Sequence, residues 1–457
     1  MENKITQGVI WKQLLIFFGP ILLGTLFQQL YSTVDAIIVG KYIGTQALAA
    51  VGNTSVFISL LIGFFMGLAG GAGVVISQFY GANEHKNVNL SVHTSYALAI
   101  VGSFIFMIVG IIIAPTVLQW MNTPADIYEM SLSYTRIYFL GMIPMLVYNI
   151  GSGILRAIGD SKRPLYFLIV ASIANIVLDL LFVTTFHMGV NGTAIATNLS
   201  QLISAVLVTL HLMNCKNQPY RLFLKEIKLH KNLLIQITRI GVPVGLQSVL
   251  YTVSNMIIQG YINGFGTTSV AAWTAYGKVD FVFWMLVSSM GVAITTFAGQ
   301  NYGAGKYQRV KEGNKVALKM TAVFTILLSV GMYFFARPLL LIFSSDPEVI
   351  NIGVMMIEFL APSYITYVCI EIYSGTIRGC GTVLIPTLIT GLGVCGLRVL
   401  WLFVLMPVDP KLEIVMLAYP ISWILSTLLY FLYYHRGKWL SCGKKRVRLK
   451  EGCQLEK

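Results

Sequence analysis

Long apolar runs, each bounded by glycine, proline or a cluster of charge, recur along the whole chain. They fall at about 14–39, 47–79, 90–115, 131–155, 164–184 and 190–213, then at 235–262, 268–300, 316–342, 350–377, 384–406 and 412–434. A helix of about 20 apolar residues crosses a hydrocarbon core of about 30 Å, and a bilayer leaves the backbone no partner but itself. The pattern predicts an all-α integral membrane protein of about twelve transmembrane helices.

Composition agrees. Of 457 residues, 56% are hydrophobic and only 11% charged, against about 25% charged in an ordinary soluble domain. The net charge of +14 would suggest nucleic acid in a soluble chain, but no basic groove or zinc-finger spacing accompanies it. It reads instead as orientation. With the N-terminus inside, about 26 of the 32 Lys and Arg fall in inner segments and about 3 (Lys41, Arg337, Lys411) in outer loops. By the positive-inside rule this predicts a multi-pass cell-membrane protein with both termini cytoplasmic. Arg136, Lys278 and Arg398 lie within spans. The six cysteines show neither metal-ligand nor disulfide spacing and read as free thiols.

A repeat at an offset of about 222 residues organises the chain. "GTQALAA" from Gly44 matches "GTTSVAA" from Gly266, "QFYGA" from Gln78 matches "QNYGA" from Gln300, and "LRAIGDSKRP" from Leu155 matches "IRGCGTVLIP" from Ile377. The expected organisation is an N-terminal six-helix bundle (1–213), a basic cytoplasmic linker (214–232), a C-terminal six-helix bundle (233–434) and a basic tail (435–457). An even number of spans per repeat gives the halves one orientation, which suits alternating access through a central cleft.

These loops and the six-plus-six arrangement resemble the multidrug and toxic compound extrusion (MATE) family over essentially the whole chain. The resemblance implies an antiporter that exports amphiphilic, often cationic compounds in exchange for protons or sodium ions, acting as a monomer and needing no cofactor.

Ionisable groups in hydrocarbon cost at least about 2.5 kcal/mol each on insertion scales, so each needs a partner, a cavity or a function. Asp35 faces Asn255 in the repeat, and Asn175 and Asp179, four apart on one helix face, face Leu397 and Trp401. An acid pair is therefore expected in the first bundle alone. Asp35 lies about 7 Å from the outer end of its span, Asp179 about 22 Å above the inner start of its own, and Thr197 about 10 Å below its outer start. The DinF-like branch of the family carries this set, so the resemblance assigns ion coupling to Asp35, Asn175, Asp179 and Thr197, and a helix bend to Pro20. Gln247 stands where the other main branch has an acid. Paired carboxyls in a poorly solvated site favour taking up a proton; two carboxylates, an amide oxygen and a hydroxyl also suit Na⁺. The sequence leaves both open.

Gln28, Tyr31, Met66, Gln247, Asn255, Lys278 and Asp280 are candidates to line the cleft, with Arg398 within reach of Asp280. Glu371 is expected to pair with Arg378 at the inner face, and the glycines of "GFFMGLAGGAG" to let helices approach closely. A flippase of a lipid-linked precursor is the alternative function, although a strongly cationic cleft for a pyrophosphate is missing. No hydrolase or metalloprotease motif points to an enzyme.

Overall fold

A computed structural model describes residues 4–440, and every regular element among them is helical. The tail beyond residue 440, with Cys442 and Cys453, lies outside the described residues. The spans are α1 (Ile10–Ile43), α2 (Thr45–Gly81), α3 (His85–Trp120), α4 (Ala125–Leu140 with Met142–Ala157), α5 (Lys162–Thr185) and α6 (Gly189–Asn214). The second half supplies α7 (Lys231–Asn263), α8 (Thr267–Gly303), α9 (Tyr307–Phe334), α10 (Pro347–Gly379), α11 (Leu384–Leu405) and α12 (Leu412–Arg436). Eleven pass as single apolar helices; α4 makes the twelfth, as a pair bent by 48°.

The bend in α4 interrupts the uniform span expected at 131–155. Pro144 has no N–H to donate to the Leu140 carbonyl one turn back, and Gly141 N–H turns to the Tyr138 carbonyl at 3.0 Å. The Asn198 amide of α6 enters the gap and donates to the Ile137 carbonyl at 2.5 Å. The run expected at 316–342 also divides: α9 ends at Phe334, and Ala336–Leu341 forms a separate short helix carrying Pro338.

The repeat extends to backbone conformation. α2 and α8 are each 37 residues long, and each is preceded by a glycine at positive φ, Gly44 at 124° and Gly266 at 90°. The turns after α4 and α10 also match. Gly159 and Gly381 take φ of 97° and 84°, and the next N–H closes back five residues, from Asp160 to Leu155 and from Thr382 to Ile377.

The described chain packs as two compact units, residues 19–245 and residues 4–18 with 246–440. Their borders fall inside α1, beside Pro20, and inside α7, beside Pro243, rather than in the linker. Packing within each unit explains this. In the first, Gly67 and Gly71 of α2 meet Gly245 and Gly241 of α7 backbone to backbone; a Cβ on Gly67 would stand 2.2 Å from the Gly245 nitrogen, and one on Gly71 2.6 Å from that of Gly241. In the second, Phe18 stacks on Phe324 with ring centroids 6.0 Å apart. Lys306 Nζ donates to the Thr6 carbonyl at 2.8 Å, and Arg309 Nη2 to those of Gln7 and Gly8 at 2.9 Å. The linker lies against α3, where buried His93 accepts the Phe223 N–H at 3.0 Å through Nε2 and donates from Nδ1 to the Asn89 carbonyl at 2.8 Å.

Candidate functional site: a buried acid pair

The first unit holds two carboxyls in mutual reach. Asp35 on α1 and Asp179 on α5 are close neighbours whose carboxyls act directly on each other. Asp179 is fully buried and Asn175, one turn away on the same face, is 1% exposed. Among the described residues no donor serves Asp35 Oδ1 or either oxygen of Asp179, and both polar atoms of Asn175 are unpartnered. Buried carboxylate oxygens facing each other without a donor call for a proton or a cation between them.

Local structure places the pair. Asp35 precedes a π turn over Val39–Ile43 that ends α1, and Asp179 precedes one over Leu181–Thr185 that ends α5. A wider turn of this kind inside a helix frequently marks a functional position. The corresponding end of α7 is plain α-helix through Asn263, and the second half lacks the acids there. Around the pair stand tyrosines not singled out from the sequence. Tyr134 on α4 lies close to both acids and to Tyr31, and Tyr138, one turn on, lies close to Asp35 and Tyr31. Tyr31 lies beside Gln28, one turn away on α1. Intramembrane tyrosines at i and i+4 carried a signal, but tyrosine is also a common interfacial residue.

Other expected residues are less concentrated. Thr197 is half-buried on α6 and, among the described residues, makes no side-chain hydrogen bond to the acids; its carbonyl accepts from Ser200 at 2.8 Å. Pro20 lies within α1. Gln28, Met66, Asn255 and Lys278 are exposed, and Gln247 is half-buried.

In the second unit one expectation holds and one is corrected. Glu371 pairs with Arg378 at 3.6 Å. Asp280 does not pair with Arg398. It accepts hydrogen bonds from Tyr364 at 2.5 Å and from Trp284 Nε1 at 2.6 Å, and the Tyr276 hydroxyl bonds in turn with that of Tyr364 at 3.0 Å. Those two donors, one to each oxygen, satisfy the carboxyl without a cation. Arg398 instead lies over the Tyr419 ring, 4.0 Å from its centroid. Among the described residues no cluster of three or more His, Cys, Asp or Glu could hold a metal ion, and Cys215, Cys369, Cys380 and Cys395 are free thiols.

A sequence model of the MatE family matches residues 20–181 and again residues 243–404. The chain belongs to the MatE family. Two matches of equal length restate the internal repeat. MatE relatives include the probable multidrug resistance protein YoeA of Bacillus subtilis, 30% identical over 442 residues and covering 95% of each chain. The FAD transporter of Shewanella oneidensis is 24% identical over 356 residues, 77% of this chain and 78% of its own. Among solved structures, the outward-facing conformation of a multidrug resistance MATE family transporter of the MOP superfamily superposes with a TM-score of 0.89. It is 21% identical and covers 97% of this chain and 99% of that one. MatE membership makes the chain a multi-pass membrane transporter and not an enzyme.

Proposed function

We propose that this MatE transporter is a cation-coupled antiporter exporting amphiphilic, chiefly cationic compounds by alternating access, with Asp35 and Asp179 as its coupling pair. The observation that carries the reading is the pair itself, two carboxyls in mutual reach with buried oxygens that lack a donor. H⁺ satisfies them by turning one acid into a donor to the other. Na⁺ satisfies them as a hard cation among oxygen ligands, with the Asn175 oxygen one turn away and the Thr197 hydroxyl as a further candidate. Either ion removes a repulsion between α1 and α5. Pro20 cannot donate to the Ile16 carbonyl, so α1 has a weak point fifteen residues before Asp35 where that change is expressed as a bend. The multidrug names of the relatives from Bacillus subtilis and Thermotoga maritima support the substrate class.

The test is efflux of a fluorescent cationic dye from proteoliposomes under separately imposed proton and sodium gradients. One gradient should drive efflux in the wild type and fail to do so in Asp35→Asn. Unchanged gradient-driven efflux in the variant would remove Asp35 from coupling. Movement of a lipid-linked precursor with no dye efflux would transfer the reading to a flippase.

A further inference from the structure

Arg398 is the charge the second unit leaves unanswered. It is 2% exposed, yet among the described residues it forms no ion pair, and its Nε and Nη2 have no hydrogen-bond partner. The nearby acids are already served, Asp280 by Tyr364 and Trp284 and Glu371 by Arg378. A buried cation left in this state is costly unless an acceptor completes it.

The orphan atoms share an edge. Nε–H and Nη2–H lie side by side on the guanidinium and form a fork that matches the two oxygens of a carboxylate. A second buried donor packs against the same tyrosine as Arg398. Trp423 is 1% exposed and, among the described residues, its Nε1–H is also unpartnered. Both residues pack on Tyr419, Arg398 over the ring and Trp423 with centroids 5.6 Å apart. Tyr367 adjoins both, its ring 5.6 Å from Trp423. Tyr419 itself is half-buried. Just before Arg398, α11 opens into a π segment over Ile389–Gly396 containing three glycines, the same kind of local widening that accompanies the two acids of the first unit.

We propose that Arg398 and Trp423 form an anion site that takes a carboxylate group, Arg398 by its Nε/Nη2 edge and Trp423 by its indole N–H. The carboxylate is either a free anion or part of a transported compound. The group binds as an anion because it offers N–H donors and one formal positive charge while Asp280 is held away by its own donors.

Purified full-length protein in nanodiscs, titrated with sodium benzoate and, as the uncharged control, methyl benzoate at matched ionic strength, tests this by thermal melting. Benzoate should give a saturable rise in melting temperature and methyl benzoate none. The half-saturating concentration should increase about tenfold or more in Arg398→Gln, which loses a charge-assisted bidentate pair, and about threefold in Trp423→Phe. If Arg398→Gln does not fold, Trp423→Phe decides. No saturable rise in the wild type, or identical curves in wild type and the folded variants, would overturn the site. The titration uses no gradient, so its failure is distinguishable from failure of the coupling reading. A dye with a free carboxylate and its ethyl ester then separate the sources. Efflux lost by Trp423→Phe for the acid alone assigns the carboxylate to transported compounds, and equal efflux of both assigns a free anion.

Discussion

Gly141 and Asn198 occupy one space. A Cβ on Gly141 would stand 1.9 Å from the Asn198 Oδ1, so the absence of a side chain on α4 is what admits the amide of α6 to the Ile137 carbonyl. Gly141→Ala should lower stability by about 1–3 kcal/mol, the usual range for overpacking. Asn198→Ala should also destabilise, by stranding a carbonyl. Since one contact is at stake, the double variant should cost less than the sum of the two, read as melting temperatures in detergent. Additive losses would show that the two residues do not share the site.

The glycine contact between α2 and α7 gives a contrast within one helix. Gly67→Ala drives a methyl into the backbone at Gly245, whereas Gly70, three residues on, has nothing within 4 Å of its would-be Cβ. Gly67→Ala should reduce folded yield and melting temperature sharply. Gly70→Ala should sit within about 0.5 kcal/mol of wild type.

At alkaline pH, Asp179→Asn gives the orphaned oxygen of Asp35 an N–H donor and takes away one of the two neighbouring carboxyls. The variant should melt higher than wild type there by the equivalent of about 1 kcal/mol while losing gradient-driven efflux. A protein destabilised at every pH would count against the pair's being in repulsion. Tyr134→Phe keeps both carboxyls and should slow efflux without abolishing it.

His93 secures the linker by accepting the Phe223 N–H and stacking on its ring, with centroids 6.2 Å apart. His93→Ala should expose Lys225 and Lys228 to trypsin several-fold faster, with little change in global melting. His93→Gln, which can still present an acceptor, should restore part of the protection. Equal cleavage rates in all three proteins would show that the linker is held by something else.

Much of this was legible in the chain because the bilayer imposes coarse rules. Apolar length gave the spans, loop spelling gave the repeat, and the scarcity of charge singled out Asp35 and Asp179, which the fold brings within reach of each other. Hydropathy is blind to which neighbour a half-helix packs against, so the unit borders inside α1 and α7 were hidden; they depend on pairs such as Gly67 with Gly245 and Phe18 with Phe324. Nor could charge counting place Arg398. Opposite signs within the membrane suggested that Arg398 could reach Asp280, but Tyr364 and Trp284 reached the acid instead. Phenol and indole donors do not register in a count of charge.

The start of the chain is gripped through its carbonyls. Lys306 and Arg309 hold residues 5 to 8 at backbone oxygen, and Gln7 is exposed. This clamp reads the path of the main chain rather than its spelling. Gln7 is thus free to become almost any residue, whereas Gly8, held at a φ of 73°, is not; the amino-terminal strip can drift in sequence and still dock, provided one glycine keeps its bend.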